Sequence, residues 1–543
     1  MARKTIDVDN PPNIRLAMAT AFDDIDANFI ELYNRVNGTY TVGSNGRGRF
    51  PTIQSAVNEI VSLPQFTLTT LSGTVSVSAD SKTVTGVGTS FLTDFAIRKS
   101  IEFDGNGKVY GIKSIASNTT LRLVAPSKEA HSGVSARSAV PVVRAIRILE
   151  SMEEDVYINA TGLTGGAQID NVALSFAWEE GAQHSGVFEY HARSGILQYH
   201  NLQQIDVAEA RLGGKVGPTD EWPMLDLYFD RIVRRTVDGV DFIYNTNSQR
   251  VWMNDCWIEG NFDILMPVCS GEVLVTNSTL RSIPNDEADS TVANQALSSV
   301  FTSDDGLFIA NNSTFWVGCY GAANLSACVN LQAFDSTPTL RTGCVFNFNH
   351  CTLIAEKVAG STEVASTAFA FVNLEADGAT INIEGGTNFQ FLGSPTPGAS
   401  WRNFRPEATV TVPAVVNIKD SRIMQGLATH STSYFTVNHV DNLNIQTVAY
   451  AATITPNPNL GSRINVSALT GALTVAAPVN PQSGQIIDFA FLQDGTGGRV
   501  ITWNAAFKKA ADGAGTANQR GSTRFRYDGT NWIQQGGALT YFT

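Results

Sequence analysis

The sequence predicts an all-β protein built on a right-handed parallel β-helix, with a short N-terminal helix, an inserted β-sandwich-like module and a C-terminal antiparallel β-domain. Three observations predict it. Charged residues are sparse while Gly, Ser, Thr, Asn and β-branched residues abound, the mixture of a protein made of strands and turns. A set of apolar columns recurs along the chain at steps of 22 to 38 residues. Within each repeat the apolar positions alternate at the period of two that a strand requires.

The first element is helical. Residues 13–37, NIRLAMATAFDDIDANFIELYNRVN, predict a helix ending before Gly38, a suitable C-cap. Met18, Phe22, Ile25, Phe29, Leu32 and Val36 are spaced 4, 3, 4, 3 and 4. That heptad seam fits either a coiled coil between chains or one amphipathic helix packed on its own domain. DANFIELYNRV resembles the NANF-x-ELY signature near the N-terminus of many bacteriophage tail fibre and tailspike proteins. The resemblance implies a virion-attachment region over residues 1–49, reaching tail or neck proteins of the particle, and a homotrimer. MARKTIDVDNPPNIR has no apolar core of a signal peptide, and no run approaches the roughly 20 apolar residues that span a bilayer. Synthesis in the host cytoplasm without membrane insertion is expected.

FPTIQSAVNEI, within 50–66, predicts an amphipathic cap with Ile53, Ala56, Val57 and Ile60 on one side, covering the open end of a solenoid. It resembles the helix that opens pectate-lyase-like phage β-helices. Across 67–140, alternation at Val75 and Val77 and the DGNG turn at 104–107 predict antiparallel strands and a hairpin, and the stretch resembles a small β-sandwich module recurrent in phage structural proteins, which implies the sandwich. AIRILESMEEDVYI, 145–158, then reads as the first coil strands of a β-helix over 141–446.

The repeat that defines the β-helix aligns on one small residue, at Cys256, Ser278, Ser313, Cys351, Gly386 and Ser421. Five before it stand Val251, Val273, Phe308, Phe346, Ile381 and Val416, and three before it Met253, Val275, Ala310, Phe348, Ile383 and Ile418. Two after it come Ile258, Leu280, Phe315, Leu353, Asn388 and Ile423, with Asn388 the single polar break. The residue just before the anchor is polar or Gly: Asp255, Asn277, Asn312, His350, Gly385 and Asp420. A tight bend between two strands explains that break in phase. His350 beside Cys351 therefore reads as a bend residue next to an inward filler rather than as the base and nucleophile of a cysteine hydrolase. Asn347, Asn382 and Asn417, four before the anchor, predict a hydrogen-bonded ladder, and Glu384 and Lys419 a surface ion pair.

Residues 447–543 close the chain. Ile487, Phe489 and Phe491 alternate, a Gly-rich turn follows at 495–498, and FRYDGTNW occupies 525–532. This stretch resembles the C-terminal β-domain of many phage tail fibres. Trp503 and Trp532 are candidates to stack on sugars, although aromatics in small β-domains more often form core.

The six cysteines hold no C-x-x-C pair, so no metal site or cofactor is expected. Buried free thiols are the expectation, with Cys319–Cys328 the one disulfide worth testing. The net charge of −13 argues against nucleic acid and is compatible with neutral or basic glycans. Phage tailspikes of this fold often cut host polysaccharide with paired carboxylates. Asp305 and Asp377, 8 and 9 residues before their anchors, are the candidate catalytic pair here. Asp-Gly is equally a turn dipeptide. The resemblance thus implies a virion spike or tail fibre that contacts host surface polysaccharide, as an adhesin that binds without cutting. Two alternatives stand beside it: a polysaccharide depolymerase (glycosidase or lyase), and a purely structural head or collar fibre.

Overall fold

The structure, a computed structural model, describes residues 39–543 except 45, 96–99, 128, 206–211, 215–223, 236–242, 261–264, 283–294, 302–304, 320–325, 334–341, 358–368, 393–400, 407–409, 424–434, 443–444, 459, 480, 482, 514 and 543. The helix expected at 13–37 and its heptad seam lie outside these residues. The chain forms two compact units, Met1–Asn261 with Leu265–Glu272, and Val273–Thr543 with Phe262–Ile264.

In the first unit, parallel strands stack in register. Leu174 pairs with Leu197, Leu197 with Leu227, and Leu227 with Val251, all fully buried. The ladder begins earlier in the chain than the sequence suggests, because Thr39–Val42 pairs in parallel with Ala145–Ile148. The helix Ile53–Val61 carries a Thr52 capping box and buries Ile53, Ala56, Val57 and Ile60, the face its spacing predicts. The carboxylate of Glu154 accepts the N–H groups of Ile53 and Gln54 and so docks the helix N-terminus.

The module is an antiparallel sheet over Phe66–Pro141 with its own core, which includes Val75, Val77, Phe103 and Leu121. Asp104 and Gly105, with φ of 53° and 68°, make the predicted hairpin turn between Ser100–Phe103 and Val109–Ser117. The sheet lies against the coils of the same unit. Gly111 N–H donates to Gln249 Oε1 at 2.8 Å, and Arg250 to the Ile112 carbonyl at 3.3 Å. Gly271 lets the two surfaces meet, since a Cβ there would stand 2.3 Å from Val124 Cγ1. Beside this contact Arg250 faces Asp226 at 3.4 Å and Glu272 at 3.7 Å. Burial pushes the Asp226 carboxyl up to about 6, with Arg250 opposing.

In the second unit a turn of the parallel β-helix contributes up to three strands among the described residues, as in Ser326–Ala333, Val345–Asn349 and Thr352–Lys357. Every residue in the two columns before the anchor is buried, from Val273 and Val275 to Val416 and Ile418. The residues before the anchor adopt left-handed backbone, with φ of 49° at Asn277, 48° at Asn312, 54° at His350, 64° at Gly385 and 48° at Asp420. This is the physical content of the polar-or-Gly position, since Asn, Asp and Gly tolerate that conformation best. In the first unit the same backbone recurs at Asn201, Arg231 and Asp255.

One anchor lies a residue later than the repeat spacing predicts. Gly386 is exposed, and Thr387 fills the slot, fully buried, with its hydroxyl accepting from Cys351 N–H at 3.1 Å. Gly385 and Gly386 together add one residue to the bend. The inward position is therefore Phe389, paired with Leu353 and 2% exposed, and the apparent break at Asn388 disappears.

The asparagine ladder forms as expected and extends by one rung. Asn382 donates to Asn347 at 2.7 Å, Asn417 to Asn382 at 2.9 Å, and Asn438 to Asn417 at 2.9 Å. Glu384 and Lys419, in contrast, are exposed and form no ion pair among the described residues.

The C-terminal domain mixes strand directions. Ile445–Val448, Arg463–Val466 and Asp488–Phe491 run parallel, as do Thr453–Ile454, Leu473–Val475 and Ile501–Trp503. The antiparallel pairing expected throughout is confined to Ile486–Leu492 with Arg520–Arg526 and Arg520–Tyr527 with Trp532–Phe542. Alternating burial reveals a strand but not the direction of its neighbour, which is why the sequence misled here. Ile487, Phe489, Phe491, Phe525 and Trp532 fill the core.

Candidate functional site

Asp305 and Asp377 stand on one edge of the β-helix. Asp305 N–H donates to the Thr342 carbonyl at 3.1 Å, and Thr342 bridges to Asp377 on the following turn. Their offset along the axis is thus two strand spacings, roughly 9.6 Å. The local chemistry favours turns. Asp305 has left-handed backbone, φ 58°, and a Cβ on Gly306 would meet the Phe301 ring at 2.5 Å. Asp377 accepts from the N–H groups of Thr411 and Val412, at 2.7 and 2.9 Å, and from the Thr411 hydroxyl at 2.7 Å. Burial pushes its carboxyl up, but these donors outweigh burial and hold it below the usual carboxylate range. A general acid needs the opposite shift.

His350 and Cys351 behave as the repeat implies. His350 is exposed at the bend, whereas Cys351 is 1% exposed, with its thiol on the Ala310 carbonyl at 3.3 Å. Burial pushes that thiol up to about 11, so it is protonated and inert at neutral pH. Cys256, Cys328, Cys344 and Cys351 are free and buried, which excludes a Cys319–Cys328 disulfide. Among the described residues no cluster of three or more His, Cys, Asp or Glu could hold a metal, and no helix is long and apolar enough to cross a membrane.

The aromatic candidates serve the C-terminal core. Trp532 is 1% exposed, with its ring 5.1 Å from Tyr527 and 6.3 Å from Phe507, so no face is open for a sugar. Trp503 is half-buried edge-on to Phe489 and Phe491, and its Nε1 donates to Asp512 at 2.8 Å.

The same domain contains an open cleft that sequence reasoning missed. It holds about 340 Å³ and is lined by Ser483, Gly484, Arg526, Tyr527, Asp528, Ile533 and Gln535. The backbone builds it. Gly484 N–H donates to the Tyr527 carbonyl at 2.8 Å, and Asp528 Oδ1 accepts from the N–H groups of Thr530 and Asn531 at 2.8 and 2.7 Å. Those donors hold the Asp528 carboxyl below its ordinary value, ionised and fixed. A carboxylate, a guanidinium, an amide, a hydroxyl and an aromatic ring thus converge on one recess, the set that hydroxyl-rich ligands require.

Residues 454–532 match the family described as "Putative phage tail fibre C-terminal domain". Among solved structures, the tailspike protein gp49 from Pseudomonas phage LKA1 is similar over 69% of this chain and 67% of its own, at 14% identity and a TM-score of 0.37. No curated protein matches the chain. For residues 454–532 the match bears out the resemblance to phage tail fibres that the C-terminal stretch of the sequence carries.

Proposed function

We propose that the protein is a virion adhesin that binds host cell-envelope glycan without cutting it. The observation that carries this reading is the open polar cleft, which lies within the tail fibre C-terminal domain apart from Ile533 and Gln535 just beyond it. The β-helix serves as the shaft, and the N-terminal region attaches it to the particle as a homotrimer. In light scattering the mass is then three times 58.3 kDa, and a value of 58.3 kDa contradicts the trimer.

A depolymerase is the second reading, favoured by Asp305 and Asp377 lying two turns apart on one edge. Reducing-end release from the host's purified surface polysaccharide separates the two. The adhesin reading expects binding and no release. Release that Asp305→Ala and Asp377→Ala both abolish makes the protein a depolymerase. Release that survives both substitutions places an active site elsewhere.

A further inference from the structure

We infer that the outer face of the C-terminal sheet, together with the cleft at its end, binds an acidic polysaccharide through unpaired arginines. This rests on the adhesin reading and names the class of glycan. The strand Arg520–Tyr527 alternates, with Gly521, Thr523 and Phe525 inward and Arg520, Arg524 and Arg526 outward and exposed. Arg463 joins the same face, because it pairs with Asp488, which pairs with Arg524. Asp488 is the one acid within these strands on that face, and Arg524 engages it with both Nε and Nη2. Arg463, Arg520 and Arg526 form no ion pair among the described residues.

That distribution is unusual for a chain of net charge −13. Several arginines elsewhere answer acids, as Arg137 answers Glu102 and Arg499 answers Asp494. Here three exposed arginines without an acid share one face, and an anion is their complement. The spacing suits a polymer. Arg463 and Arg524 flank Asp488 on neighbouring strands, roughly 10 Å apart, and Arg526 lies roughly 7 Å further along its strand. The cleft begins at Arg526, where Tyr527, Gln535 and the ionised Asp528 offer a ring, an amide and a hydroxyl acceptor to one sugar, while the arginines outside it take carboxylates along the chain. The net charge, which is compatible with neutral or basic glycans, is an average that conceals this face.

The test measures binding of the full chain to sodium polygalacturonate, to uncharged dextran and to poly(dT), at 20 and 200 mM NaCl, for wild type, Arg526→Gln, Arg463→Gln and the double variant. All substituted side chains are exposed, so folding is unaffected. Polygalacturonate binding that weakens with salt, falls about tenfold per arginine and is absent for dextran is the expected result. Equal binding to dextran, unchanged affinity in the double variant, or no polygalacturonate binding by folded wild type overturns the inference. Tighter binding to poly(dT) overturns it in favour of a nucleic-acid face. Wild-type binding to host cells is measured in parallel. If cell binding persists in the double variant, the acidic-glycan face fails and the adhesin stands. If arginine-dependent polygalacturonate binding persists without cell binding, the reverse holds.

Discussion

The left-handed bend at His350 makes a quantitative prediction. Its φ is 54°, its side chain is exposed, and its N–H donates to the Glu384 carbonyl at 3.3 Å. An L-residue in this conformation costs about 1–2 kcal/mol, least for Asn and most for a β-branched side chain. Glycine avoids that cost but loses about 0.5–1 kcal/mol through the entropy of the unfolded chain. His350→Asn should therefore stabilise by about 0.5 kcal/mol, His350→Gly should be near neutral, and His350→Val should destabilise by about 1–1.5 kcal/mol. Long parallel solenoids unfold slowly, so the rate of unfolding in guanidinium, followed by tryptophan fluorescence, is the suitable assay. At about 1.4 kcal/mol per tenfold, His350→Val should unfold roughly five- to tenfold faster and His350→Asn no faster than wild type. A His350→Val rate within twofold of His350→Asn would refute the bend as the constraint that selects the residue before the anchor.

Other consequences follow from the same geometry. Gly385→Ala should destabilise by about 1–3 kcal/mol, because φ is 64° and the new Cβ would lie 2.1 Å from Asn349 Oδ1; refolding yield and unfolding rate report it. Trp532→Ala should cost about 3–5 kcal/mol in thermal unfolding of the C-terminal domain, the behaviour of a core residue rather than a sugar platform. The Asp226 carboxyl is raised from 3.8 to about 6 in the fold, so its contribution to stability is full only below pH 3.8 and is lost as pH rises from there through 6. The melting midpoint of wild type relative to Asp226→Asn should therefore fall between pH 4 and 7, and a flat difference contradicts this. In the native protein the four buried thiols should resist an aromatic disulfide reagent, leaving at most two of the six cysteines reactive until denaturant is added.

The β-helix is legible in the sequence because each turn must bury the same positions. Val273, Phe308, Phe346, Ile381 and Val416 differ in size, yet all face inward, and only an apolar residue fits there. The bend is legible too, because left-handed backbone selects Asn, Asp and Gly. Earlier turns escape the same search. At Asn201 and Arg231 the following residues are the large Leu202 and Ile232 rather than a small anchor, so the pattern loses its marker. Thr39–Val42 escapes because its partner, Ala145–Ile148, lies beyond the inserted module, and pairing at that separation leaves no local trace. The extra residue at Gly385–Gly386 is invisible to an ungapped alignment except as an exception at Asn388.

The candidate site was less legible for a different reason. A catalytic carboxylate and a turn carboxylate share the Asp-Gly signature, and only the donors around Asp377 distinguish them. The aromatic residues that draw attention in sequence, Trp503 and Trp532, are the ones that hold the core together. The cleft depends instead on residues brought together across strands, such as Ser483 with Tyr527 and Gln535, which no linear motif records.

The central claim is attachment to a host surface through the C-terminal domain. Its most direct measurement is competition, in which purified protein is titrated against phage adsorption to host cells, with wild type beside the Arg463→Gln, Arg526→Gln double variant. Saturable inhibition by wild type, weakened at least tenfold in the double variant, is the predicted result. Undiminished adsorption in the presence of excess folded wild-type protein would contradict the account.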